Sequence, residues 1–103
     1  MDILKTLSYA GTMDVLFSIC KGKSKFTDIM FETELNPGIL NRLLKTLIVS
    51  GILIKDLDGY HLSEKGTKVV LYTLQILNTE NENKNYEALI DILSGRIQHH
   101  AEA

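Results

Sequence analysis

The chain has 103 residues, 45% of them hydrophobic, with a formal net charge of −2 at neutral pH and an isoelectric point near 5.9. A single domain of that size buries enough apolar surface to fold without covalent or metal staples, and the lone Cys20 leaves neither an internal disulfide nor a cysteine-built zinc site. No apolar run approaches the roughly 20 residues of a membrane span, and Met1-Asp2-Ile3-Leu4-Lys5 lacks the parts of a secretory leader, so a cytoplasmic protein with no membrane partner is expected.

In chain order, a helical stretch is predicted from about Asp2 to Lys21, with a break near Gly11. Thr12 is the candidate N-cap of its second part. Val15, Leu16, Ile19 and Cys20 form an apolar stripe there, and Gly22 ends the helix. Cys20 reads as a small buried hydrophobe; an intermolecular disulfide or a redox switch is the alternative. Lys23 to Phe26 fits a short edge strand. Thr27 or Ser24 then caps a helix over residues 27–33, with Ile29, Met30 and Phe31 facing inward.

A turn at Glu34-Leu35-Asn36 leads into the next helix. Asn36 is a good cap, and Pro37 at the first helical position loses no needed hydrogen bond. This helix runs to about Ser50 and stops at Gly51, with Leu40, Leu43, Leu44, Leu47 and Ile48 on one face. Gly38, Asn41, Arg42, Lys45 and Val49 lie on the other. Two β-prone runs, Ile52 to Leu57 and Tyr60 to Ser63, flank Asp58-Gly59, a pair suited to a tight hairpin turn. Ser63-Glu64-Lys65-Gly66 opens a helix carrying Val69, Val70, Tyr72, Leu74, Ile76 and Leu77. The polar stretch from Asn78 to Asn85 reads as a loop or frayed helix end. A last helix, about Asn85 to Gln98, carries Tyr86, Leu89, Ile90, Leu93 and Ile97 at spacings of three and four. His99 and His100 read as a disordered tail more than as a metal pair.

The fold class that follows is mostly α with a small β-hairpin, an α+β chain. A helix-turn-helix followed directly by a hairpin is the winged-helix order, here with an extra C-terminal helix. The winged body is placed at residues 1–78, and an acidic linker with the terminal helix at 79–103, all in one compact domain. Three stretches, Tyr9-Ala10-Gly11-Thr12-Met13-Asp14-Val15-Leu16, Lys25-Phe26-Thr27-Asp28-Ile29 and Asn36 to Leu47, resemble the HxlR-like and related archaeal winged-helix regulators. Ser50-Gly51-Ile52-Leu53-Ile54 resembles their helix-to-strand junction, and Tyr60-His61-Leu62-Ser63-Glu64-Lys65-Gly66 their wing exit. The resemblance covers about residues 5–75. It implies a homodimer on double-stranded DNA, with dimer contacts from helices at the chain ends: Leu4 and Leu7 of the first, and Tyr86, Leu89, Ile90, Leu93 and Ile97 of the last. That last stripe can equally pack within its own subunit.

The residues themselves agree with a DNA reader. A recognition helix needs an apolar face to dock and a polar face for the groove, and residues 37–50 have both. Asparagine pairs well with adenine and arginine with guanine, which suits Asn41 and Arg42, with Lys45 beside them for base edges or phosphate. Asn36 and Gly38 lie where helix N-terminal N–H groups meet a phosphate. Ser24, Lys25 and Thr27 sit where the preceding helix crosses the DNA backbone, to position and not to specify. Lys55 and His61 flank the wing tip, although Asp56 and Asp58 nearby would repel phosphate. In isolation, an amphipathic helix with one Arg and one Lys is merely a solvated surface.

Positive charge is densest at Lys21, Lys23 and Lys25, then at Arg42 and Lys45; residues 71–103 hold two basic and five acidic residues. No phosphate-binding glycine loop, metal-ligand cluster or nucleophile motif is legible. A non-enzyme without metal or cofactor is therefore expected; Glu32 and Glu34 read as solvated carboxylates in a turn, with Glu32 alternatively helping the loop into the recognition helix. The sequence identifies no small-molecule effector. The acidic balance and acidic wing favour an alternative, a winged helix that binds proteins. A continuous positive surface over residues 23–27 and 36–45 would favour DNA; a flat apolar or acidic one would favour a protein.

Overall fold

The computed structural model describes residues 2–80 and 83–102, with side chains as far as Ile97. Among the described residues it contains six helices and a two-stranded antiparallel hairpin, the expected α+β class. The chain divides between Ser63 and Glu64 into two compact units, so the helix after the hairpin groups with the terminal helix.

The first unit begins with α1 (Ile3–Ser8), capped by Asp2, whose carboxylate accepts from the N–H groups of Leu4 and Lys5. α2 (Thr12–Cys20) follows. Its N-cap is Gly11 at φ +88°, not Thr12. A side chain at Gly11 would strain the backbone, and its β-carbon would lie 3.1 Å from Leu35. Thr12 is instead the first helical residue, fully buried, and its hydroxyl finds no hydrogen-bond partner among the described residues. Val15, Leu16, Ile19 and Cys20 are all buried, as the stripe predicts.

Lys23 to Phe26 is not a strand. Phe26 opens α3 (Phe26–Thr33), and Lys25 holds the N-cap position with no side-chain cap, so neither Thr27 nor Ser24 caps it. What remains of the expected edge pairing is one bond, from the Tyr60 N–H to the Ser24 carbonyl at 2.8 Å. Only Ile29 of the expected inward trio is fully buried; Phe31 is 73% exposed. Eight helical residues make little more than two turns, so only one narrow face can reach the core.

Glu34, at φ +59°, turns the chain into α4 (Pro37–Val49). Its Leu40, Leu43, Leu44 and Leu47 are buried, whereas Ile48 lies at the edge of that face and is exposed. β1 (Leu53–Asp56) pairs with β2 (Gly59–Leu62) in the register Leu53↔Leu62 to Asp56↔Gly59. The two-residue turn is therefore Leu57-Asp58, one position earlier than the Asp58-Gly59 expected.

The second unit packs α5 (Glu64–Glu80) against α6 (Lys84–Glu102). Asn78, Thr79 and Glu80 belong to α5, so the expected polar loop is shorter than the sequence suggested. Asn83 starts α6: its side-chain oxygen accepts from the N–H groups of Asn85 and Tyr86. Leu93 is fully buried, and Tyr86, Leu89, Ile90 and Ile97 are half-buried. Leu93 is thus core and not an exposed dimer contact. The reading of His99 and His100 lies outside the described side chains.

Candidate nucleic-acid interface

The α4 helix presents the face expected of a reader. One hundred degrees of rotation per residue sets the buried leucines on one side. The opposite side carries Gly38, Asn41, Arg42, Lys45 and Val49, all exposed. No ion pair among the described residues engages Arg42 or Lys45. The Thr46 hydroxyl donates to the Arg42 carbonyl at 2.9 Å, which keeps that hydroxyl on the helix.

The helix N-terminus is less open than the sequence implies. The Asn36 side-chain oxygen accepts from Gly38 N–H at 2.8 Å and from Ile39 N–H at 3.4 Å, and Pro37 has no donor. An incoming phosphate would have to displace that cap, so Asn36 acts first as a structural residue. Ser24 is likewise engaged: its hydroxyl donates to the Asp58 carbonyl at 3.2 Å, and its own carbonyl holds Tyr60. Lys23, Lys25 and Thr27 are exposed. Lys21 is not a spare cation, because its ammonium pairs with Glu32 at 3.1 Å; Glu32 is exposed but lies on α3, not in the turn, and ties that helix to the end of α2. The surface over α3 and α4 is therefore basic at Lys23, Lys25, Arg42 and Lys45, interrupted by the exposed Asp28 and Glu34.

The wing is braced from several sides. Asp56 Oδ1 accepts from the N–H groups of Asp58 at 2.8 Å and Gly59 at 3.2 Å, and lies 3.1 Å from His61 Nε2. The Asp58 N–H above all, then His61 and the Gly59 N–H, hold the Asp56 carboxyl below its ordinary range against a desolvation cost. Asp56 is thus a turn staple. Its Asp-x-Asp-Gly setting is a legible signal for such an Asx turn, which charge alone, suggesting only repulsion, does not reveal. Gly59 sits at φ +126°, and a β-carbon there would collide with the Ser24 carbonyl. Lys55 Nζ lies 5.2 Å from the centroid of the Tyr60 ring, its cross-strand neighbour. Lys55 and Asp58 are exposed and His61 is half-buried.

Among the expected dimer residues, Leu4 is 74% exposed and Leu7 half-buried. The apolar stripe of α6 is largely taken up beside α5. Sequence reasoning missed the fully exposed Leu57 at the wing tip and the outward Tyr72 and Ile76 of α5. No described helix is long and apolar enough to cross a membrane. No group of three metal-ligating side chains occurs among the described residues.

A family described as winged helix-turn-helix matches residues 8–82, from the end of α1 past the end of α5. The match does not single out the HxlR-like branch. No curated protein and no solved structure matches the chain.

Proposed function

Because the chain belongs to the winged helix-turn-helix family, we propose that it is a cytoplasmic, non-enzymatic transcription regulator that binds double-stranded DNA as a homodimer. The observation that carries this reading is the outward face of α4, with Asn41, Arg42 and Lys45 exposed together on the second helix of the helix-turn-helix. In the major groove, Arg42 is suited to guanine and Asn41 to adenine. Lys45, Lys25 and Thr27 serve phosphates, and Ser24 positions the wing against the start of α3. Asn36 and Gly38 set the pitch of α4 through the cap and bring backbone close to the DNA, since Gly38 has no side chain to hold it off. Lys55 and His61 give the wing a secondary contact.

Homodimerisation places two copies of α4 on neighbouring half-sites, which multiplies weak contacts into useful affinity. Exposed Leu4 supports an interface at α1, while the half-buried Tyr86, Leu89, Ile90 and Ile97 offer only their outer edges.

A second reading, a winged helix that binds proteins, is favoured by Phe31 and Val49, which are 73% and 75% exposed on α3 and α4. Fluorescence anisotropy on mixed-sequence duplexes at low and moderate salt separates the two. The regulator reading expects salt-sensitive binding that Arg42→Ala/Lys45→Ala weakens roughly tenfold or more. Absence of binding at low salt would favour the protein-binding module.

A further inference from the structure

Two features of the surface take no part in the DNA contacts proposed above, which on the wing use only Lys55 and His61. The first is the wing tip. Leu57 is completely exposed at the centre of the turn, with Ile54 also half out on β1. Exposed leucines are common on mobile loops, but this turn is fixed by the Asp56 staple, by the bond from Ser24 to Asp58 and by the bond from Tyr60 to Ser24. The hairpin holds an apolar side chain out in water in a set position. Asp56 and Asp58 flank it, and against Lys55 they leave one unit of negative charge on residues 55–59.

The second feature lies on α5. A shallow depression of about 410 Å³ is lined by Glu64, Lys65, Lys68, Val69 and Tyr72. Its floor is apolar, from Val69 and the 54% exposed Tyr72. Its rim is basic, with two lysines against one glutamate, the latter 4.0 Å from Lys68. Ile76, 68% exposed, continues the apolar strip one turn further on.

We propose that the wing tip of one copy docks into the α5 depression of a second copy, Leu57 seating on Val69 and Tyr72 while Asp58 faces Lys65 and Lys68. Each side supplies what the other lacks: an apolar knob with acidic shoulders, and an apolar seat with a basic rim. Opposite potentials across such a contact steer encounter and fix register. The wing acidity, which phosphate would repel, is favourable against lysines. This proposal rests on the homodimer in the functional reading and gives it a surface distinct from the chain-end helices.

Sedimentation of the full chain over a range of concentrations tests it. Leu57→Ser and Asp58→Lys are both chosen at exposed side chains outside the brace, since Ser24 bonds only the Asp58 backbone. Each is expected to weaken self-association roughly tenfold or more, as is Lys65→Glu/Lys68→Glu. Mixing Asp58→Lys with Lys65→Glu/Lys68→Glu is expected to restore association, because the reversed wing then meets a reversed rim. Wild-type association in the Leu57→Ser and Asp58→Lys variants would overturn this surface and leave the homodimer standing. A wild type that stays monomeric would overturn both, while the α4 contact with DNA would still be judged by the Arg42→Ala/Lys45→Ala duplex titration. Two separately defective variants that do not associate when mixed would overturn the pairing of these two faces.

Discussion

Asp56 shows how one side chain can be misread from charge alone. A carboxylate near a wing tip suggests repulsion, yet its oxygen closes the turn on two N–H groups and His61. Its folded value is lowered, so the stabilisation is present above the ordinary value near 3.8 and is lost as pH falls through the lowered one. An acid titration followed by NMR should therefore show the Asp58 and Gly59 amides losing their shifts below pH 3.8, and Asp56→Asn should remove that transition. Gly59→Ala belongs to the same turn. Positive φ and the Ser24 carbonyl both oppose a methyl group, so thermal or urea unfolding should report a loss of more than about 1 kcal/mol. Thr12 offers the opposite sign. Its buried hydroxyl has no partner among the described residues, and Thr12→Val should raise stability by about 1 kcal/mol, seen as a higher Tm.

At the scale of the element, α4 was the most legible piece. Asn36-Pro37 marked its start, the leucine spacing its buried face and Gly51 its end, because caps and period are local properties. Its exposed polar face followed directly. The elements that the sequence misplaced depend on neighbours distant in the chain. Lys23 to Phe26 looked like a strand, but only one bond to Tyr60 is available to it. Phe31 looked inward because Ile29 does, and the short α3 has no second apolar face to bury. The α6 stripe was read correctly as a stripe; periodicity cannot say whether α5 or another copy covers it. Asn36→Ala tests the start of α4: loss of the cap should cost about 1 kcal/mol in equilibrium unfolding, and the freed Gly38 and Ile39 amides should exchange faster with solvent.

For the molecule as a whole, a net charge of −2 does not by itself favour the proposed contact with DNA. Distribution resolves this, because Lys23, Lys25, Arg42 and Lys45 are exposed around the helix-turn-helix, while acidic residues predominate after residue 70. These cations set the salt sensitivity: the slope of log affinity against log salt should be about that of four or five phosphate contacts per copy, and Lys45→Ala should lower it by about one per copy. The winged arrangement was legible from the order of elements, whereas the bracing of the wing by Ser24 was not, since it joins residues 34 positions apart in the chain.

The most direct test of the account is an amide chemical-shift map of the chain titrated with a duplex selected for binding. The largest changes are expected on Gly38, Asn41, Arg42 and Lys45, with a second group at Lys25 and Thr27. Changes concentrated on α5 and α6, with α4 silent, would contradict it.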